Sequence, residues 1–315
     1  MPPISRRDLL ASGAALAAAS LAPEVGAALR TELPSRPLGR TGVTVPVVGM
    51  GTAGLAGMPP ETLRQMASRA LDLGISLMDT SPSYGETQSA LGPWVARHRE
   101  GLFLASKARA TTAKAVIAEV EQSLRDLRTD HLDLVCLQDL SIAADGRPGP
   151  WVGALEGLRR ARERGLVRLL GVSGHSRPQA LRAALRSGEL QVLMAPVNYV
   201  DDHTYGFSRH LLSEAERLGV GVLAMRVLGG RSGFTADGLG EGRLARVTYT
   251  GALRYALSQP SVSCAVLGMA DEGQVSQAAF EASRFRPLTS SQMRRAHAEG
   301  QRLAQEWGPH LGPIA

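Results

Sequence analysis

Lysine is almost missing from this chain: of 35 basic residues, 33 are arginine and only Lys107 and Lys114 are lysine. Cysteine is equally scarce, with Cys136 and Cys264 alone, which excludes a small disulfide-stapled scaffold. Each lies in an apolar run that reads as a buried strand, so both are expected to be inert core thiols rather than a disulfide. Aromatic residues make up 4%, and the scattered arginines rarely alternate with them, so no nucleic-acid partner is expected despite a formal charge of +6 and a pI near 9.9. The basicity reads as solvated surface that favours anionic ligands at most. The seven histidines show no His-x-x-x-His pairing and join no cysteine cluster, so no metal site is expected. No apolar run of about 18 residues follows the N-terminal segment, so the body of the chain is not read as membrane-spanning.

The first 28 residues differ from the rest. Ser5-Arg6-Arg7-Asp8-Leu9-Leu10 leads into an alanine-rich apolar stretch, and Val25-Gly26-Ala27 offers small residues for a signal peptidase. This predicts an export signal over 1–28 that resembles the twin-arginine type, with the export machinery as a partner and a periplasmic destination. A short hydrophobic helix packed on the body is the alternative. The remaining chain, 29–315, is expected to be one domain, since barrels of about 250 residues form single cores.

From residue 45 the text becomes regular. Short apolar runs at 45–50, 75–78, 102–105, 132–137, 167–172, 192–195, 220–224 and 263–267 each lead through a polar or glycine loop into a helical pattern. Val116, Val120, Leu124 and Leu127 show that helical spacing, as do Leu155, Leu158 and Ala161. Continuous hydrophobicity marks strands covered on both faces, and eight such units predict a closed (β/α)₈ TIM barrel. An open doubly wound sheet is the runner-up, but Gly49-Met50-Gly51-Thr52-Ala53-Gly54 lacks the Gly-x-Gly-x-x-Gly spacing that fold uses. A glycine-centred turn within 36–45 predicts a short N-terminal hairpin, and Met293, Leu303 and Trp307 predict an extra C-terminal helix. The stretches 141–150, 201–206 and 227–242 read as loops over the site.

Reacting groups in such a barrel come from the C-terminal ends of its strands. Those ends carry Asp79 with Tyr84 five residues on, Ser106-Lys107, Gln138-Asp139, Ser173-Gly174-His175, Asn198 and Arg226. A lysine in an arginine-biased chain is informative, because its charge is compact and its pKa tunable. An ammonium beside a phenol stabilises the phenolate, which makes Tyr84 a proton donor, while Asp79 holds Lys107 charged. A structural Asp–Lys ion pair with a neighbouring tyrosine is the competing reading. Lys114 reads as an exposed helix residue.

The wording around these residues favours chemistry. Met78-Asp79-Thr80-Ser81-Pro82-Ser83-Tyr84-Gly85 with Leu91-Gly92, then Ala105-Ser106-Lys107, resembles the Asp-Thr-Ala-x-x-Tyr-Gly and Ser-Lys segments of the aldo-keto reductase family. The likeness extends through Gly171-Val172-Ser173 and Val266-Leu267-Gly268, from about residue 38 to 286. It implies a barrel that interconverts carbonyls and alcohols with NADPH or NADH and takes a small-molecule carbonyl substrate. It makes Tyr84 the general acid, Lys107 its activator and Asp79 the lysine's partner. The family's histidine at the fourth strand end is Gln138 here, whose amide can orient a carbonyl but cannot shuttle a proton.

For the cofactor the resemblance implies Gly51, Thr52, Ser173, Gly268 and Gln274, with Gly229 and Arg226 or Arg231 near the pyrophosphate. It departs at Gly174 and Ala195, where amide side chains are usual, with Asn198 near enough to compensate. It departs again at Ala270 and Ala278. Ala270 replaces the arginine that pairs with a 2′-phosphate, which weakens NADP preference by about 1.5–3 kcal/mol and admits NAD. Two further expectations follow: a dinucleotide-binding module without turnover outside the cytoplasm, and, less favoured, a cofactor-free lyase or isomerase using Lys107 and Asp79.

Overall fold

The computed structural model describes residues 33–138, 140, 151–230, 243–312 and 314, with only the backbone over 245–248. Residues 1–28, the loop 141–150, Asp139 and Arg231 therefore lie outside the described residues.

The chain opens with an antiparallel hairpin, β1 (Ser35–Pro37) and β2 (Thr44–Pro46). Its turn drives Leu38 and Val45 into the bottom of the barrel, where both are fully buried. Val45 thus belongs to the hairpin, and the first barrel strand starts later than the apolar run predicts. Pro46, which has no N–H to give a ladder, separates the two.

The barrel strands are β3 (Val48–Gly51), β4 (Leu77–Asp79), β5 (Phe103–Ala108), β6 (Leu132–Gln138), β7 (Val167–Ser173), β8 (Val192–Pro196), β9 (Gly221–Met225) and β10 (Val262–Gly268). They pair in parallel in that order, and β10 closes on β3. The TIM-barrel expectation holds: every strand ends one to three residues past its apolar run, because pairing continues beyond it, while the starts at 132, 167 and 192 coincide with the runs.

The outer helices are α1 (Pro60–Asp72), α2 (Thr87–His98), α3 (Ala113–Leu127), α4 (Trp151–Glu163), α5 (Pro178–Leu185), α6 (Asp201–Tyr205), α7 (Ser213–Leu218), α8 (Ala245–Leu257), α9 (Glu272–Ser283) and α10 (Ser290–Trp307). In α3 the Thr112 hydroxyl accepts from Ala115 N, and the expected stripe Val116, Val120, Leu124 and Leu127 faces the sheet. Lys114 is exposed. The predicted C-terminal helix is α10, opened by a capping box between Thr289 and Gln292. The expected loop at 201–206 is instead the helix α6, ended by Gly206 at φ 66.

Two apolar layers result. Leu77, Phe103, Ala105, Leu134, Cys136, Val192, Met194, Leu223 and Cys264 fill the lumen, while a larger layer lies between strands and helices. Each such aliphatic or aromatic side chain contributes about 1.5–3 kcal/mol on burial. Both cysteines are buried free thiols, and burial pushes Cys136 up to about 12.

Candidate active site

Side chains alternate along a strand, so the lumen residues fix what faces inward at the top. Continuing their parity places Gly51, Asp79, Lys107, Gln138, Ser173, Pro196, Met225 and Gly268 in the uppermost ring, one per strand. The ring is polar from β4 to β7 and bare at Gly51 and Gly268.

Lys107 organises the polar half. Its Nζ donates to Asp79 Oδ1 at 2.5 Å, to Asp79 Oδ2 at 2.7 Å and to Thr80 O at 3.1 Å. It stands 5.0 Å from the centroid of the Tyr84 ring and is hydrogen-bonded to that side chain. Burial works against the ammonium, but the charges of Asp79 and Tyr84 and their hydrogen bonds outweigh it, so the lysine pKa is raised. At Asp79 burial favours the neutral carboxyl, and the charge and bonds of Lys107 oppose it. An ammonium gripping both carboxylate oxygens fits an ionised pair.

Tyr84 is half-buried in the turn after β4. Its N–H donates to Ser81 O at 3.1 Å, and its carbonyl accepts from Thr87 Oγ1 at 2.6 Å, with Gly85 at φ 58 completing the turn. Next along the ring, the Gln138 carbonyl accepts from Ser81 Oγ at 3.4 Å, which leaves its amino half to meet an approaching oxygen. Asp79, Tyr84, Lys107 and Gln138 are therefore gathered on one side of the mouth.

The expected cofactor residues are less uniform. Ser173 is buried at the end of β7 and faces the lumen by parity. Thr52 ties β3 to β4, its N and Oγ1 both donating to Asp79 O. Gln274 accepts from Ala270 N at 2.9 Å, which stiffens the turn from β10 into α9, and Gly268 above it is exposed with open space where a Cβ would stand. Asn198 must be corrected. Its amide donates to Asp201 Oδ2 at 2.6 Å and to Arg226 O at 3.0 Å, while its carbonyl accepts from Val200 N and Asp201 N. Three of the four hydrogen-bonding positions serve the start of α6 and the fourth holds Arg226 O, so none remains for a ligand. Ala195 also packs outward, and Pro196 takes the inward position without an amide.

Arg226 departs most from expectation. It occupies the left-handed region at φ 49, strain of about 1–3 kcal/mol for a residue with a side chain. Its Nε donates to Nδ1 of His175 at 3.0 Å, and its guanidinium lies over Gly230, where a Cβ would come within 2.4 Å of Nη1. Burial lowers the arginine pKa, partly offset by Asp201, Tyr205 and Tyr84. His175 drops to about 3, chiefly through burial and then through the charges of Arg226 and Lys107. This couple joins residues 51 apart and was not foreseen as a pair, although an arginine preceding Gly229-Gly230 marks where a guanidinium needs bare backbone beneath it. Among the described residues no group of three metal-ligating side chains occurs, and no helix is long and apolar enough to cross a membrane.

The chain is 34% identical over 166 residues to an aldo-keto reductase of Mycobacterium marinum, a match covering 51% of this chain and 54% of that one, so it spans about half the length of such curated relatives. A Pseudomonas aeruginosa protein assigned to the aldo-keto reductases superposes with a TM-score of 0.67 at 25% identity, covering 81% of this chain and 98% of that one. The holo form of aldo-keto reductase AKR11C1 from Bacillus halodurans shares the fold at a TM-score of 0.68 and 22% identity, over 90% and 98% of the two chains. With the aldo/keto reductase family model matched across residues 47–242, and the Asp79–Lys107–Tyr84 cluster standing at the barrel mouth, the chain belongs to the aldo/keto reductase family.

Proposed function

We propose that the protein interconverts a small-molecule carbonyl and its alcohol with a nicotinamide dinucleotide, Tyr84 exchanging the proton. The observation that carries this reading is Lys107, whose ammonium bridges the Asp79 carboxylate and the Tyr84 side chain. Family membership implies NAD(P)-dependent oxidoreduction of carbonyls. The bare position that leaves room for a dinucleotide is Gly268, which has open space at the mouth, whereas Gly51 lies close to Val266, Gly229 is covered by Trp307 and Leu244, and Gly230 lies beneath Arg226. Gly51, Ser173, Gly268 and Gln274 would hold it, with Thr52 supporting from below and Gly229 and Arg231 assigned by resemblance alone. When bound, the reduced nicotinamide supplies a hydride to the carbonyl carbon.

The remaining chemistry belongs to the chain. Gln138 holds the carbonyl oxygen near Tyr84 through its amino group. Tyr84 gives its proton to that oxygen as negative charge builds there, and the phenolate left behind is stabilised by Lys107. Asp79 keeps the ammonium charged and aimed. NAD is proposed to serve at least as well as NADP, because Ala270 supplies no cation at the turn where Asp271 caps α9 and Glu272 follows.

Tyr84→Phe is expected to lower kcat on the order of 10²–10⁴-fold in aldehyde reduction followed by loss of reduced-nicotinamide absorbance with NADH and with NADPH. A variant within threefold of the parent would defeat the assignment. Tight dinucleotide binding without turnover would instead favour the binding-module reading. We also propose that 1–28 is an export leader of the twin-arginine type that delivers the barrel to the periplasm. N-terminal sequencing of envelope-fraction protein should begin near residue 29, and cytosolic protein retaining Met1 would refute it.

A further inference from the structure

We propose that Ser81 is a positioning residue of the reduction: its hydroxyl turns the Gln138 amide amino-first toward the mouth, while its carbonyl anchors the turn that carries Tyr84. The inference rests on the reductase reading and deepens it, because Ser81 sets how two donors meet one carbonyl oxygen.

Ser81 follows β4 by two residues and is 1% exposed. Its carbonyl accepts from Tyr84 N at 3.1 Å, and the far side of that turn is pinned where Thr87 Oγ1 donates to Tyr84 O at 2.6 Å. Its hydroxyl reaches the other way, to Gln138 Oε1 at 3.4 Å. Gln138 ends β6, and β5 with Lys107 stands between the two strands. One buried residue therefore ties the turn of the proton donor to the amide across the mouth, along a route that bypasses the ammonium.

The direction of the amide follows from counting protons. A hydroxyl has one proton to give and two lone pairs to receive. Ser83 N donates to Ser81 Oγ at 3.2 Å, which fills one lone pair. Ser83 Oγ lies 2.8 Å away, and being exposed its hydroxyl can rotate to fill the second. The Ser81 proton is then left for Gln138 Oε1, so the amino group faces the mouth. An amide has nearly the same shape either way round, and only its partners choose between the two orientations. Turned over, it would set its oxygen against the carbonyl oxygen on which negative charge builds. At 3.4 Å the bond is long for a hydroxyl donor, so it selects an orientation and adds little to folding stability.

The test is a double-mutant cycle in aldehyde reduction with the better of NADH and NADPH. Ser81→Ala keeps the backbone carbonyl that holds Tyr84, so it removes only the hydroxyl. It is expected to lower kcat on the order of tenfold with KM for the dinucleotide unchanged, and Gln138→Met to lower kcat on the order of a hundredfold. In the Gln138→Met background Ser81→Ala should cost nothing more. Losses that multiply overturn the proposal, since Ser81 would then act apart from the amide. Ser81→Thr, which keeps the hydroxyl, should stay within about threefold of wild type. A loss equal to that of Ser81→Ala, in a variant that melts with wild type, also overturns it. The basic limb of the pH profile should coincide in wild type and Ser81→Ala, because Asp79 and Lys107 set it; a shifted limb assigns the hydroxyl to Tyr84 instead and counts against the proposal. A readout without turnover is the side-chain amide of Gln138 in nitrogen-15 NMR spectra of the apo protein, identified by its loss in Gln138→Met. Its two proton shifts should stand apart from those of exposed glutamines in wild type and move onto them in Ser81→Ala, and unmoved shifts overturn the proposal. If wild type reduces no aldehyde, the reductase reading fails, and the NMR comparison still decides whether Ser81 holds the amide.

Discussion

His175 shows how much one side chain depends on its neighbours. Its imidazole is held to about 3 by burial, then Arg226, then Lys107, against about 6.5 for an unfolded chain. Because the folded pKa is depressed, the unfolded state binds the proton first as pH falls below about 6.5, and folding stability declines until the folded group titrates near 3. That contribution, on the order of 5 kcal/mol, is present at neutral pH and lost in acid. His175→Gln should therefore lose distinctly less stability than wild type between pH 7 and pH 4 in paired urea melts, and equal losses would contradict the coupling. Asp79, Tyr84, Lys107 and Gln138 were legible because each sits at or just beyond an apolar run, where strand end and mouth coincide. The His175–Arg226 bond was not, since it depends on two loops meeting above β8. Asn198 was misread for a related reason: an amide near the site attracts a ligand role until the turn that uses it up is visible.

At the scale of elements, the hairpin is the part most dependent on close backbone approach. Gly39 lies at φ 55, and a Cβ there would fall 2.3 Å from Gly221 N and 2.5 Å from Gly219 O. Gly42, at φ 77 in the same turn, has nothing within 4 Å. Gly42→Ala should thus cost about 1 kcal/mol from backbone strain alone, and Gly39→Ala about 3 kcal/mol or more because β9 must also shift. Thermal melts of the two variants that coincide would show that the hairpin does not press on β9. The existence of nearly every element was readable from period and run length. Boundaries were not, because ladder pairing carries β5 and β10 past their apolar residues and draws Val45 away from β3. The helix α6 was hidden in a polar stretch, Asp201–Tyr205, stabilised by Asn198 and ended by Gly206.

For the whole molecule, eight doubly covered strands fit a barrel or an open doubly wound sheet, and the pairing of β10 with β3 closes it as the barrel. The floor is equally sealed. Leu38 and Val45 stopper the lumen from below, and Arg40 N reaches Gly219 O at 2.8 Å. This ordering has a consequence during synthesis. The stopper and β3 leave the ribosome ahead of the other barrel strands, yet the strand that completes the circle emerges after all of them, so until then the nascent sheet carries two raw edges with no mate. A protein built this way cannot be finished piece by piece. It stays dependent on whatever shields those edges until residue 268 is in hand.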